Sequence, residues 1–248
     1  MARHSTRRTQ GARRHGRLRR VQARLSRRRP RHDGVFLEYP PEQTPREELA
    51  NWVTHAVAAV ASVAGGSWLI AAAVRQSDWL TMMGCAVYAA SLMAVFTMSS
   101  LSHGARTPRL RGMFRALDQA SIYLLIAGTA TPFLIRYLLP YGWDWMLPLL
   151  WGLALLWAWD KVRGHRVNSM SVVSYLSLAW LPVLAARPIF AVMPARCTLL
   201  VLAMGACYML GVVFLVYDDR GRYFHALWHL FVIAASACSF AAIAMYLV

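Results

Sequence analysis

His225 and His229 stand four residues apart at the head of residues 223–248, a stretch that is apolar almost throughout. A helix of about 25 residues is long enough to cross the ~30 Å hydrocarbon core of a bilayer. The four-residue spacing stacks both imidazoles on one helix face, as two metal ligands or a hydrogen-bonded pair would require. Ionisable groups inside a membrane segment are costly and mark functional sites. Metal site and buried polar pair are separated by one question: whether other helices bring partners to the same depth.

The elements that must position these residues are legible as runs. Of the 248 residues 58% are hydrophobic and only 15% charged, against roughly 25% charged in a soluble domain. Seven apolar runs cover about 50–74, 79–101, 116–138, 143–159, 168–190, 195–217 and 223–247. The fourth is short and carries Pro148; the fifth contains Pro182 and Pro188, which spanning helices tolerate as kinks. Trp79, Trp143, Trp145 and Trp159 lie near run ends, as in the aromatic belts of membrane proteins. The expected fold is all-α, an integral membrane bundle of seven transmembrane helices, because a helix satisfies its own backbone within lipid.

Lysine and arginine set the orientation. With the N-terminus cytoplasmic, 23 of the 27 fall on the inner side, leaving Arg75, Arg136, Arg187 and Arg196 outside. Leaving out the N-terminal segment the ratio is still nine to four, the direction of the positive-inside rule. The N-terminus is therefore expected inside and the C-terminus outside, with membrane lipid as the surroundings. Oligomeric state is not legible.

In that topology the second run descends to His103, the third starts from Arg115 with Asp118 in its first turn, and the seventh starts near Tyr223. At 1.5 Å per residue His103, Asp118, His225 and His229 share a layer within roughly 10 Å of the cytoplasmic boundary. Ser99 sits one turn below His103 on the same face. Three histidines with an open position form the ligand set of a catalytic-type zinc site, and the metal holds its imidazoles deprotonated. Asp118 is then the water-directed carboxylate and general base, and Ser99 orients the water or a substrate carbonyl. Taken singly, His103 or Asp118 also fits a plain helix-end cap. Glu48, Asn51 and His55 recur at spacings of three and four on the first span. They read as a polar cluster bonding neighbouring helices, with a fourth metal ligand as the alternative. Arg136, Asp160 and the Asp218-Asp219 pair read as solvated helix ends.

Residues 1–45 read as a disordered arm ahead of a membrane domain over 46–248. Thirteen arginines precede residue 32 and the first acid is Asp33, so most of the +16 formal charge belongs to the arm. The arm carries no apolar core of a secretory signal. It suits attraction to anionic lipid at the inner leaflet, or the text of a start codon placed too far upstream. A nucleic-acid-binding tail has no folded module behind it, so no specific nucleic acid is expected. Cys85, Cys197, Cys207 and Cys238 lie within the runs without CxxC spacing and read as packing residues.

Four segments in order, Glu47-Glu48-Leu-Ala-Asn51-Trp-Val-Thr54-His55, Ser99-Ser-Leu-Ser-His103, Leu117-Asp118 continuing to Ile126-Ala-Gly-Thr-Ala-Thr131-Pro132-Phe133, and His225-Ala-Leu-Trp228-His229-Leu-Phe-Val, resemble the hemolysin III family. This is the bacterial branch of the progestin and adipoQ receptor family, which implies an integral protein of a bacterial inner membrane. The resemblance covers about residues 46–248 and implies a seven-helix bundle with zinc near the cytoplasmic face. Carried over by position, it implies His103, His225 and His229 as zinc ligands, with Asp118 and Ser99 directed at water and ligand. The wider superfamily resembles alkaline ceramidases, which implies zinc-dependent hydrolysis of a lipid amide or ester. A zinc-stabilised membrane receptor or sensor is the alternative, and the family name implies a cytolytic protein as a third. The apolar runs look like permanent spans, not those of a secreted pore former. The chain departs from the family pattern in its arginine arm, in Cys238-Ser239 where Cys-His is common, and in Ala130 where an aromatic is usual.

Overall fold

The computed structural model describes residues 43–76, 78–163 and 172–248 in full, and the backbone of 37–38 and 169–170. The expected arm lies outside the described residues up to residue 42, apart from that short backbone piece, and so does Arg166. Residues 37–38 and 169–170 form a two-residue antiparallel ladder. All other regular structure among the described residues is helical.

Helix α1 spans Pro45–Arg75. Thr44 caps it reciprocally with Glu47: Glu47 N–H donates to Thr44 Oγ1 at 3.4 Å and Thr44 N–H to Glu47 Oε2 at 3.0 Å. Pro45 occupies the first turn, where its missing N–H loses nothing. Asp78 caps α2, Trp79–Gly104, by accepting from Leu80 N at 3.0 Å. Thr107 and Pro108 start α3, Pro108–Tyr137, in the same way. Helix α4 is Met146–Val162. Helix α5, Val172–Trp180, passes through a 3₁₀ segment at Leu181–Ala185 into α6, Ala186–Val192. Helices α7, Ala195–Val216, and α8, Phe224–Tyr246, complete the chain.

Two expectations are corrected here. Helices α1 and α3 begin well before their apolar runs, because a cap and a proline start a helix whether or not its first turns are apolar. Asp118 therefore lies about 15 Å into α3, not in its first turn. The fifth run is not one kinked helix: at Pro182 it tightens into 3₁₀ turns, since proline removes a helical donor and clashes with the preceding turn. Among the described residues, six segments are long and apolar enough to cross a membrane: α1, α2, α3, the α5–α6 unit, α7 and α8. Helix α4, at 17 residues, is about 25 Å long.

Helix α2 packs between α1 and α3, and α8 packs against α7 and α1, while α4 and α5 lie on α3. Lipid tails give no hydrophobic drive for helix association, so close backbone approach and interhelical hydrogen bonds do that work. A methyl group on Gly66 would stand 2.7 Å from Ala89 Cβ, and one on Gly128 2.7 Å from Ser91 Cβ. These two glycines set the α1–α2 and α2–α3 distances. Tyr88, fully buried on α2, donates to Ser236 O at 2.9 Å and lies 2.7 Å from Ser239 Oγ on α8. Trp151 Nε1 donates to Thr131 Oγ1 at 3.0 Å, and Tyr175 hydroxyl to Gln119 O at 3.1 Å, fastening α4 and α5 to α3. The four cysteines are free thiols.

Candidate metal centre

The caps and glycine contacts fix where α1, α2 and α3 bring their polar ends, and the hydrogen bonds of Tyr88 tie α8 to α2. His103 lies in the last turn of α2, while His225 and His229 occupy the first two turns of α8. All three are buried, and one ligand nitrogen from each lies within 4.8 Å of the other two. The His103 ring centroid is 5.1 Å from that of His225 and 5.2 Å from that of His229. Three nitrogens bound at about 2.1 Å to one tetrahedral ion stand about 3.4 Å apart. Small rotations of the imidazoles close the difference.

The donor set fits a metal ion. His103 Nε2 is buried with no hydrogen-bond partner among the described residues, an arrangement that is costly unless something occupies its lone pair. Three imidazoles are a suitable set for zinc, copper, iron or nickel. Asp118, on α3, accepts at Oδ2 from the hydroxyl of Ser102, the residue before His103, at 3.4 Å. Ser99, buried on α2, accepts from Ser102 Oγ through its carbonyl at 2.9 Å.

Helix α1 supplies a wall that the spacing of its polar residues foreshadowed. Glu48 Oε2 lies 2.8 Å from His103 Nδ1, and the backbone oxygen of Asn51 lies 3.3 Å from His229 Nδ1. Thr54 Oγ1 is also 3.3 Å from that nitrogen. The Asn51 side chain donates to Gln43 Oε1. His55 stacks on His229 with centroids 3.6 Å apart and planes 12° from parallel. That stack excludes His55 as a fourth ligand to the same ion. An ion in the His229 plane lies roughly 3 Å out of the His55 plane, whereas an imidazole ligates in its plane at about 2.1 Å.

Asp218 corrects another expectation. Its side chain is only 9% exposed, and Oδ2 lies 3.2 Å from His225 Nδ1, so it is no solvated helix end. Sequence reasoning missed both carboxylate–histidine contacts. The usable signal was an acid at the polar end of each helix pair whose neighbour carries a histidine.

Over residues 43–240 the chain matches the model of the family described as haemolysin-III related. The chain belongs to the haemolysin-III family. Among similar proteins, "Hemolysin-3" of Bacillus cereus is 33% identical over 206 residues, covering 82% of this chain and 93% of that one. The "Hemolysin-3 homolog" of Bacillus subtilis is 29% identical over 206 residues, covering 83% and 96%. The human "Monocyte to macrophage differentiation factor" is 30% identical over 212 residues, covering 81% and 84%. No solved structure matches the chain. The matched region of this haemolysin-III protein begins at the entrance to α1, so it takes in the helix that walls the histidine cluster.

Proposed function

We propose that this haemolysin-III protein is a seven-span, zinc-dependent hydrolase of a lipid amide or ester, with its N-terminus in the bacterial cytoplasm. The observation that carries this reading is the meeting of three buried histidines from α2 and α8, with the Asp118 carboxyl hydrogen-bonded to Ser102, the residue before one of them.

Parity supports the seventh span. Glu47 Oε1, near the start of α1, accepts from the backbone N–H of Tyr223, which precedes α8. That contact favours α1 and α8 beginning at the same end of the bundle, which goes with an odd number of crossings. Helix α4 is the remaining candidate, and its about 25 Å is close to a thin hydrocarbon core. The lysine and arginine distribution supports a cytoplasmic N-terminus, and that orientation would put the histidines beneath the inner leaflet.

His103, His225 and His229 would hold the ion. Bound there, zinc supplies a Lewis acid that polarises a carbonyl and lowers the pKa of water toward about 7. The chain's own residues do the rest. Asp118 Oδ2 accepts the proton as water oxygen bonds to the lipid carbonyl carbon. The same carboxyl returns that proton to the amine or alcohol as the C–N or C–O bond breaks. Ser102 Oγ, donating to Oδ2, holds the carboxyl, and Ser99 orients the carbonyl or the water. Lipid enters sideways between helices.

Purified full-length protein is expected to contain about one zinc per chain, lost in His225→Ala and His229→Ala. Asp118→Ala is expected to keep zinc and to abolish fatty-acid release from a lipid amide. Zinc without turnover of any lipid amide or ester replaces the hydrolase reading with a sensor. Lysis exceeding that of an unrelated seven-helix protein at matched expression favours a cytolytic activity.

A further inference from the structure

Each of the three clustered histidines turns the same nitrogen away from the cluster, toward an oxygen. His103 Nδ1 faces Glu48 Oε2 at 2.8 Å, His225 Nδ1 faces Asp218 Oδ2 at 3.2 Å, and His229 Nδ1 faces the Asn51 carbonyl at 3.3 Å. A carbonyl and an ionised carboxylate only accept hydrogen bonds. In all three contacts the proton therefore belongs on Nδ1, which leaves Nε2 with its lone pair. Among the described residues His103 Nε2 has no hydrogen-bond partner, as a nitrogen kept for another ligand would be.

We propose that Glu48 and Asp218 are positioning residues of the metal centre: each accepts from one ligand histidine and holds it as the Nδ1–H tautomer with Nε2 toward the ion. This rests on the metal-centre reading above and adds two residues that the ligand pattern does not contain. A neutral imidazole rotates about two side-chain bonds and interconverts between tautomers; a short hydrogen bond to a fixed acceptor removes both freedoms. The carboxylate also makes the imidazole a stronger donor to a cation. Asp218 lies only seven residues before His225 in the connection leading to α8, whereas Glu48 comes from α1, which supplies no ligand of its own. Its neighbour Glu47 accepts from Tyr223 N–H at 3.1 Å. The adjacent glutamates thus tie the end of α2 and the beginning of α8 to one helix, and with them all three histidines. Orientation at His229 comes from the Asn51 backbone carbonyl, which no side-chain substitution removes, together with Thr54 Oγ1 at the same 3.3 Å, so the centre should tolerate loss of one carboxylate without falling apart.

The test uses full-length protein in lipid nanodiscs, with zinc affinity read by chelator competition and the Co²⁺ form read by its visible absorption spectrum. Glu48→Ala and Asp218→Ala are each expected to weaken zinc binding by about 10–100-fold and to shift the Co²⁺ bands. Glu48→Gln keeps an acceptor oxygen, so it is expected to recover most of the spectrum and only part of the affinity. The metal-free melting temperatures of these variants separate orientation from folding: a loss of affinity that merely follows a loss of metal-free stability refutes positioning. Histidine ¹⁵N spectra of zinc-loaded wild type test the tautomers without any substitution, and zinc on Nδ1 of His103 or His225 overturns the proposal. Wild-type zinc affinity and an unchanged Co²⁺ spectrum in both alanine variants overturn it as well, leaving the metal centre standing. A wild-type protein that binds neither ion, or binds them equally well in His103→Ala and His229→Ala, overturns the metal centre and this proposal together.

Discussion

Replacing His55 by phenylalanine tests the stacking argument directly, because it keeps a ring and removes two nitrogens. His55 is 3% exposed, and neither ring nitrogen has a hydrogen-bond partner among the described residues. Its ring lies 3.6 Å from His229 and meets Phe96 edge-on, with centroids 5.1 Å apart. A phenyl ring preserves both contacts. An unsatisfied buried polar atom destabilises by about 1–3 kcal/mol, so removing even one of the two amounts to a stabilisation of that order. In a domain of this size each kcal/mol moves the melting temperature by about 2–4 °C. His55→Phe is therefore expected to melt several degrees higher without metal. Its zinc affinity should change by less than the tenfold that loss of an orienting partner produces. The assay is a thermal unfolding scan of chelated protein, with chelator competition for the affinity. Metal loss as severe as that of His103→Ala, or a lower metal-free melting temperature, refutes the geometry on which the exclusion of His55 as a ligand rests.

Two further predictions concern the scaffold. Gly128→Ala drives a methyl group to 2.7 Å from Ser91 Cβ, well inside the ~3.5–4.0 Å of ordinary carbon contacts. It should lower stability by about 1–3 kcal/mol, whereas Gly152→Ala meets nothing within 4 Å and should gain up to about 1 kcal/mol of helix propensity; paired melting curves read the opposite signs. At the far end of α2, the hydrogen bond from Thr81, and then that from Leu80 N–H, hold the Asp78 carboxyl below its ordinary pKa. The cap's contribution is complete above the ordinary carboxylate value of about 4 and fades as pH falls through the lowered one, so Asp78→Ala should melt below wild type at neutral pH and converge with it in acid.

How much of the centre could be read from the chain depends on which coordinate a residue's position encodes. Spacing along a helix encodes face and depth. The four-residue step from His225 to His229, and the end of an apolar run at His103, were enough to anticipate one shared polar layer. Run lengths and charge made the chain a helical membrane protein for an equally direct reason: lipid demands backbone self-satisfaction and leaves little freedom in composition. Helix starts were less legible, since hydropathy located the apolar runs but not Thr44-Pro45 or Thr107-Pro108, which begin α1 and α3 earlier.

Rotation and separation between helices are encoded in no single segment. Only packing decided that His55 lies flat on His229 instead of pointing a nitrogen at it. Packing likewise gave Glu48 to His103 and Asp218 to His225, and drew ligand nitrogens of three histidines within 4.8 Å. The Glu48–His103 pairing across α1 and α2 depends on how closely Gly66 lets α1 approach Ala89, and Gly128 does the same for α3 against Ser91, whereas Asp218 reaches His225 within the connection between α7 and α8. A methyl-sized change in such a contact moves a whole helix, and with it every polar side chain it carries.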